Sequence, residues 1–275
     1  MMSTQTSMPI QALRNTLRLS DPHTLTALNA VRTPLLGLAS GDQSVRLPAG
    51  AEHVLVATGA GGGTTTLLRS LTAQALALGA SVDLIDPGGA GHPWARSLPG
   101  VRYLSRIAEI HDHLLINVAA LQDGLGTWDG GWRGRRVMVI EHLGTVAYGL
   151  REYWSQTRPE TQLEEAPGVE ALGVLLAAGP GFGIQIFAGN PRVGLPGLGA
   201  VPVKDVFPTR VLAYGGAALW QRVAPEVWPV PPYSVTPGRM HAVTGQESTA
   251  FQALYLNEIE ARALARGVIE TGEAA

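Results

Sequence analysis

Five short apolar segments recur along this 275-residue chain, and they constrain its fold more than any other feature. They occupy residues 53–58, 81–87, 135–142, 183–190 and 208–215. Stretches with helical spacing of apolar residues separate several of them, as over residues 64–78 and 106–122. Strands that are apolar throughout and alternate with helices are typical of a mostly parallel sheet covered by helices on both faces. The sequence therefore predicts an α/β fold built around such a central sheet.

The two ends of the chain carry different patterns from its middle. Residues 238–256 predict a C-terminal β-hairpin, and Asn257 is the expected cap of a short helix that follows it. Residues 35–50 predict two short strands around a Gly-Asp turn, but the preceding residues have a mixed pattern that determines little. We therefore divide the chain into an N-terminal segment, 1–34, and one domain, 35–275.

The composition excludes several classes of function. Hydrophobic residues make up 45% of the chain, charged residues 15%, and the net charge is −2, so no overall basic field favours nucleic acid. Cysteine is absent, which removes disulfides, thiolate metal sites and cysteine nucleophiles. Residues 171–189 are uncharged, but residues 179–183 interrupt them with glycine and proline and predict a buried helix and strand, not a membrane span. We expect a cytoplasmic protein without a transmembrane segment, either free or docked on a membrane-bound partner.

Polar residues follow four of the predicted strands at the point where each strand ends. These residues are Thr58, Asp86, Glu141 and Asn190. The carboxyl ends of parallel strands meet at one edge of a sheet, and ligands bind beyond that edge in open α/β folds. The sequence therefore predicts a binding site at this edge.

A glycine-rich turn, TGAGGGTT at residues 58–65, joins the first of these strands to a helix. In the phosphate-binding pattern G-x-x-x-x-G-K-[ST], main-chain N–H groups and the helix N-terminus hold phosphates, the lysine neutralises their charge and the hydroxyl binds magnesium. Here Thr58 replaces the first glycine, Thr64 replaces the lysine, and Thr65 keeps the hydroxyl. We expect a weak or vestigial site for ATP and Mg²⁺, with Thr65 and Glu141 as the metal ligands. The candidate nucleotide-binding residues are Gly59, Ala60, Gly61, Gly62, Gly63, Thr64, Thr65, Thr66 and Asp86.

Two changes fall where ATP hydrolysis requires charge. The single lysine of the chain is Lys204, far from the loop in sequence, and Arg69 lies on a different face of the helix from the lysine position. The third strand ends in Glu141-His142, where a P-loop motor normally has two acids, one for magnesium and one for the attacking water. Losing the cation should cost several kcal/mol of transition-state stabilisation. We therefore expect impaired or lost hydrolysis, with Glu141, His142 and Asn190 as the candidate catalytic residues.

The order of these segments resembles the FtsK/SpoIIIE family of DNA-pumping motor ATPases, a branch of the RecA-like P-loop fold. The resemblance rests on HVLVATGAGGGTTTLLRSL, VDLIDP, RVMVIEHLGTV, AAGPGFGIQIFAGNPR and FPTRVLAYG. It covers the chain from about residue 35 onward and implies a RecA-like fold, a hexameric ring, ATP as ligand and DNA in a central pore. The departures from the family pattern are Thr64, Glu141, His142, Asn190 in place of a glutamine, and Gly88 in place of a basic residue. These departures fall on groups that hydrolysis, and hence pumping, requires.

We therefore predict an FtsK/SpoIIIE-like P-loop protein of a DNA translocation or transfer apparatus that binds nucleotide weakly and has little or no ATPase activity. The resemblance implies a homo- or hetero-oligomeric ring with an FtsK-like motor, with DNA as a candidate partner. Two alternatives stay open. One is a structural adaptor that binds no nucleotide, in which the glycine run is only a tight turn. The other is an active ATPase completed by a cation from a neighbouring subunit.

Several charged and aromatic residues have both a functional and a structural interpretation. The segment of Trp132, Arg133, Arg135 and Arg136 predicts either a DNA-facing patch or, more simply, a solvated edge before a buried strand. Arg210 is either structural or directed at another subunit. The tryptophans near loops suggest an exposed partner surface and include Trp94, Trp128, Trp132 and Trp154.

Overall fold

The computed structural model describes residues 12–50, 52–59, 61–123, 134–158, 165–189, 201–213 and 216–268. The helices are α1 (Pro22–Ala30), α2 (Thr64–Ala77), α3 (Ile107–Gln122), α4 (Leu143–Thr157), α5 (Pro167–Ala178), α6 (Val203–Val206), α7 (Ala217–Val223) and α8 (Glu258–Ala265). The strands are β1 (Leu35–Leu38), β2 (Ser44–Arg46), β3 (Val54–Ala57), β4 (Ser81–Ile85), β5 (Val101–Leu104), β6 (Arg136–Ile140), β7 (Ile184–Gly189), β8 (Thr209–Leu212), β9 (Arg239–Thr244) and β10 (Glu247–Ala253).

Within these ranges the strands form one ten-stranded sheet in the order β2-β1-β10-β9-β8-β3-β7-β6-β4-β5. The six strands from β8 to β5 run parallel, and β3 lies between β7 and β8. The four remaining strands add an antiparallel extension that begins where β9 pairs with β8. The predicted α/β fold with a mostly parallel sheet is confirmed.

The central strands are apolar throughout because both of their faces are covered. Along β3, Val54 and Val56 belong to one hydrophobic cluster, and Leu55 and Ala57 belong to the other. Helices α2 and α8 contribute to the first cluster, and helices α3, α4, α5 and α7 contribute to the second. Successive strand residues point to opposite faces of a sheet, so this alternation requires apolar residues at every position of β3.

Several local expectations are also confirmed. The long uncharged segment is split into α5 and β7 by a 3-10 turn, Gly179–Phe182. Strands β9 and β10 form the C-terminal hairpin. Asn257 caps α8 in a capping box with Glu260, in which each side chain binds the other residue's main-chain N–H. As a separate observation, no helix within the described ranges is both long and apolar enough to cross a membrane.

Two exposure predictions are wrong. Arg135 is fully buried, and its guanidinium donates to the carbonyl oxygens of Ala49 (2.8 Å) and Gly50 (3.0 Å) and to Gln185 Oε1 (3.1 Å). It therefore belongs neither to a DNA-facing patch nor to a solvated edge. Trp94 is also buried, at 1% exposure, because the segment after β4 folds back over the sheet edge. Of the other residues in these two predictions, Trp128, Trp132 and Arg133 lie outside the described residues. Trp154 of α4 is partly buried, and its ring stacks on His111 with 6.4 Å between the ring centres.

Two further charged residues are structural. Arg136 pairs with Asp83 on the neighbouring strand at 3.1 Å and is only partly exposed. Arg210 is 1% exposed, and its guanidinium lies 2.6 Å from Glu226 Oε1. A buried guanidinium that has its own carboxylate partner is held inside this domain, so the structural interpretation of Arg210 accounts for its position.

Candidate functional site

The glycine-rich turn connects β3 to α2 as the sequence predicts. Gly61 (φ 74°) and Gly63 (φ 95°) adopt left-handed conformations, which residues with a side chain rarely adopt. A Cβ atom on Gly62 would lie 2.6 Å from the carbonyl oxygen of Thr58, so the main chain passes too closely there for any side chain. Gly63 is the N-cap of α2. The glycines thus bring main-chain N–H groups around the N-terminus of a 14-residue helix, which is the arrangement that binds phosphate in other proteins.

Thr64, at the lysine position, is turned into the protein. Its side chain is almost fully buried, and its Oγ1 lies 2.6 Å from Thr58 Oγ1, within hydrogen-bonding distance. A Cβ atom on Gly189 would come within 2.7 Å of Thr64 Cγ2, so β7 packs tightly against this threonine. The two hydroxyls satisfy each other inside the loop. Thr64 therefore supplies neither positive charge nor a projecting donor where the lysine normally acts.

Glu141 and Thr65 meet at the carboxyl edge of the sheet, as predicted. Thr65 Oγ1 donates a hydrogen bond to Glu141 Oε1. The other carboxylate oxygen, Oε2, lies 2.6 Å from His92 Nε2. Glu141 is 1% exposed and His92 is fully buried. Both oxygens of this carboxylate are therefore engaged by side chains of the same chain.

The hydrogen bonds around His92 fix which of its ring nitrogens carries the proton. Trp94 Nε1 donates to His92 Nδ1 at 3.3 Å, and an indole N–H can only donate. Nδ1 must then accept, so the neutral ring carries its proton on Nε2, and this N–H donates a hydrogen bond to Glu141 Oε2. Neither the strand pattern nor the glycine motif identifies His92. The only hint in the sequence is a histidine two residues before a tryptophan, in the glycine-rich stretch after Asp86.

Asp86 lies at the same edge and is held by its own loop. Its carboxylate accepts hydrogen bonds from the main-chain N–H groups of Gly91 (3.2 Å) and His92 (2.9 Å) and from the Tyr103 hydroxyl. Burial and the hydrogen bond to Asp86 raise the pKa of Tyr103 to about 12. Asp86 therefore fixes the path of the segment that carries His92 to Glu141.

A pocket of about 260 Å³ opens on the other side of the glycine loop. Its lining includes Arg18, Gly61, Thr66, Met240, Leu254 and Tyr255. The Arg18 guanidinium carbon lies 5.3 Å from the centre of the Tyr255 ring, and main-chain hydrogen bonding joins Tyr255 to Leu17 beside it. Arg18 is the one cationic residue among those that line this pocket. This volume is slightly below the usual range for small-molecule sites, roughly 300–1,000 Å³.

Of the remaining candidate site residues, the structure describes His142 but not Asn190 or Ala60. His142 is the N-cap residue of α4, with 41% of its side chain exposed, and its Nε2 lies 4.0 Å from Glu141 Oε1. The structure thus brings Thr58, Thr64, Thr65, Asp86 and Glu141 to one edge of the sheet, while the contacts of Asp86 and Glu141 are made within the chain.

Comparison with solved structures gives matches over most of the chain. The pCW3 conjugation coupling protein TcpA, in monomer form with ATPgS, matches with a TM-score of 0.67 at 15% identity over 94% of this chain and 75% of that one. EssC (ATPases 2 and 3) from Geobacillus thermodenitrificans matches with a TM-score of 0.65 at 16% identity over 89% of this chain and 45% of that one. The cytoplasmic domain of the Thermomonospora curvata Type VII secretion ATPase EccC matches with a TM-score of 0.62 at 16% identity over 90% of this chain and 29% of that one.

These neighbours decide the fold. It is that of an FtsK/SpoIIIE-type P-loop ATPase domain. The chain spans three quarters of the TcpA structure but less than half of the EssC and EccC chains. A scan against protein-family models finds no match, and a search of curated proteins finds none. The resemblance to FtsK/SpoIIIE proteins is thus confirmed in fold.

Proposed function

We propose that this protein is a nucleotide-binding subunit of a DNA translocation or transfer apparatus, and that its ATPase activity is impaired or lost. The similar structures support this setting, because TcpA is a conjugation coupling protein and was solved with ATPgS, while EccC is a secretion ATPase. The observation that carries the proposal is the continuity between the glycine loop and the pocket beside it. Gly61, Gly62 and Gly63 belong to both.

This continuity suits a ligand with an anionic end and a flat, partly apolar end. Main-chain N–H groups and the N-terminus of α2 would hold phosphate. The Tyr255 ring, which is 41% exposed, provides an apolar surface of the kind that accepts a nucleobase, and Arg18 adds a cation beside it. Met240 and Leu254 also line the pocket but are buried. The open loop also favours binding, because a ligand can approach Gly61 without meeting a side chain. We therefore propose that the pocket takes the base and the glycine loop takes the phosphates of ATP or ADP.

The same residues give little support to hydrolysis. Thr64 replaces the lysine and is hydrogen-bonded inside the loop, so no charge develops opposite the transferred phosphoryl group. Glu141 is 1% exposed, is covered by the main chain at Gly91 and already accepts from Thr65 and His92, so an attacking water has little access to its carboxylate. These two effects should together reduce turnover by more than the roughly 10²–10³-fold that loss of one electrostatic donor costs. The affinity should be weak for the same reason, since the loop lacks its cation.

We further propose that the chain acts at the cytoplasmic side of the apparatus, in a homo- or hetero-oligomeric ring with an FtsK-like motor. DNA remains a candidate partner, although Arg135 and Arg136 take part in contacts within the chain. An adaptor that binds no nucleotide is the second candidate. It is favoured by one observation, namely that Thr64, Asp86 and Glu141 already have partners within the protein.

The first prediction separates these two functions. Gly61→Asp would place a carboxylate in the open space of the loop, and aspartate tolerates left-handed backbone better than most residues. We expect it to weaken binding of a fluorescent ATP analogue by at least about tenfold through charge repulsion with the phosphates. Titration followed by fluorescence anisotropy would measure this.

The matched control is Gly134→Asp. Gly134 also has a positive φ, 91°, and open space around it, but it precedes β6 and so lies at the opposite edge of the sheet. We expect this variant to bind the analogue as the wild type does. Absence of saturable binding by the wild type would favour the adaptor, and equal binding by both variants would remove the glycine loop from the site.

A further inference from the structure

The fold implies a magnesium ion at Thr65 and Glu141, and the donor set around them can be tested against that ion. Mg²⁺ requires near-octahedral oxygen coordination and usually keeps several waters, so its protein ligands must face space that water can enter. Thr65 alone presents no difficulty, because a hydroxyl that donates to a carboxylate still has lone pairs. The difficulty lies at Glu141, which is 1% exposed and whose Oε2 accepts a hydrogen bond from His92 Nε2.

The segment that covers Glu141 is packed and fixed. A Cβ atom on Gly91 would lie 3.2 Å from Glu141 Cδ, so the main chain rests directly on the carboxylate. The His92 main-chain N–H is bound to Asp86, and its ring is bound to Trp94. The carbonyl oxygen of Trp94 in turn accepts hydrogen bonds from Arg262 of α8 at 3.1 and 3.3 Å. A hydrated magnesium ion could reach the carboxylate only by displacing this segment, so the residues present do not fit the ion.

We infer that nucleotide binding at this loop does not depend on Mg²⁺ and that His92 is the positioning residue responsible. The inference rests on the nucleotide-binding function proposed above and specifies the ligand as the metal-free nucleotide anion. In this arrangement His92 Nε2–H donates a hydrogen bond to Glu141. This bond takes the place of the one that a metal-bound water would donate. Glu141 then holds the Thr65 side chain at the start of α2 without an ion. The assignment follows from a direct ring-to-carboxylate contact together with the single tautomer that Trp94 permits.

The test compares affinities for one probe in two buffers. A fluorescent ATP analogue is titrated into the full chain in the presence of EDTA and in the presence of excess MgCl₂, at matched ionic strength. We expect the two dissociation constants of the wild type to agree within about twofold. His92→Ala removes the N–H and opens space beside Glu141, and we expect Mg²⁺ to tighten its binding by about tenfold.

His92→Gln is the conservative control, because a glutamine amide can donate from nearly the position of the imidazole Nε2. We expect it to restore the metal-independent binding of the wild type. His23→Ala, at an exposed histidine outside the site, should also behave as the wild type. Thermal unfolding of each variant in the absence of nucleotide shows whether it is folded under the titration conditions.

The outcomes distinguish this inference from the function on which it rests. Wild-type binding that is about tenfold tighter with Mg²⁺ would overturn the inference and leave nucleotide binding intact. If the His92→Ala variant also bound the analogue equally well with and without Mg²⁺, the role given to His92 would be overturned. Binding in neither buffer would overturn the proposed function itself.

Discussion

Arg135→Ala should destabilise the protein by about 3 kcal/mol, because truncation empties a fully buried site and leaves the buried Gln185 amide oxygen without its donor. The side chain is fully buried and spans from the start of β6 to the segment before β3. There it binds the carbonyl oxygens of Ala49 and Gly50, and it also contacts Gln185, whose amide donates to the carbonyl of Glu52 at 2.7 Å. Burial lowers the pKa of Arg135 to about 10, so the group stays charged at neutral pH and its hydrogen bonds are charge-assisted. Urea unfolding monitored by circular dichroism would measure the free energy.

Arg106→Ala is the matched control for that substitution. Arg106 pairs with Glu109 on the surface, with 78% of its side chain exposed, so its loss should leave the urea midpoint close to that of the wild type. Equal effects at the two arginines would contradict the structural role of Arg135. An Arg135→Ala variant as stable as the wild type would contradict it too.

Acid should destabilise the protein well before its carboxylates are protonated, because of His53. This side chain is 1% exposed. Its Nδ1 accepts from the main-chain N–H of Ile186 at 2.9 Å, so the neutral ring must donate from Nε2 to the carbonyl oxygen of Leu176 at 3.1 Å. A second proton would break the bond to Ile186. Burial lowers the pKa of His53 from 6.5 to about 4.

The direction of the pH dependence follows from these two values. As the pH falls below 6.5, His53 of the unfolded chain takes up a proton while His53 of the folded chain stays neutral until about pH 4. The contribution to stability is therefore complete above pH 6.5 and is lost progressively between pH 6.5 and about 4. The full difference between the two pKa values of His53 corresponds to about 3 kcal/mol in the free energy of unfolding.

Urea midpoints measured across this pH range would show the effect. His53→Gln is the control, because a glutamine amide can accept from Ile186 and donate to Leu176 without titrating. We expect it to remove most of the pH dependence between pH 6.5 and 4. A variant with the same pH dependence as the wild type would assign the acid sensitivity to other groups.

The central part of the fold was predictable because local pattern and burial agree there. Strand β3 is apolar at every position because two helical layers cover it, and the glycine run after it marks the turn into α2. The meeting of Thr65 with Glu141 also followed from the sequence, since parallel strands bring their carboxyl ends to one edge. The edge strand β5 was missed because Arg102 and Tyr103 leave it partly exposed and interrupt its apolar pattern.

The contacts that decide the chemistry were not predictable. His92 reaches Glu141 because Asp86 binds two main-chain N–H groups of the loop between them, and no periodicity encodes the path of such a loop. Arg135 looked like a surface residue because charged residues usually lie outside, but it is fully buried and binds Gln185 and two carbonyl groups of the segment before β3. In both cases a polar network, not hydrophobic pattern, placed the side chain.

The central claim is that this fold keeps a nucleotide-binding loop after losing the groups that hydrolyse the nucleotide. Equilibrium dialysis of the protein against radiolabelled ATP, followed by chromatography of the nucleotide on the protein side, tests both halves together. We predict that nucleotide accumulates on the protein side and is recovered as intact ATP, with MgCl₂ present or absent. Recovery of ADP at a rate above that of a Glu141→Gln variant, or no accumulation of nucleotide, would contradict the account.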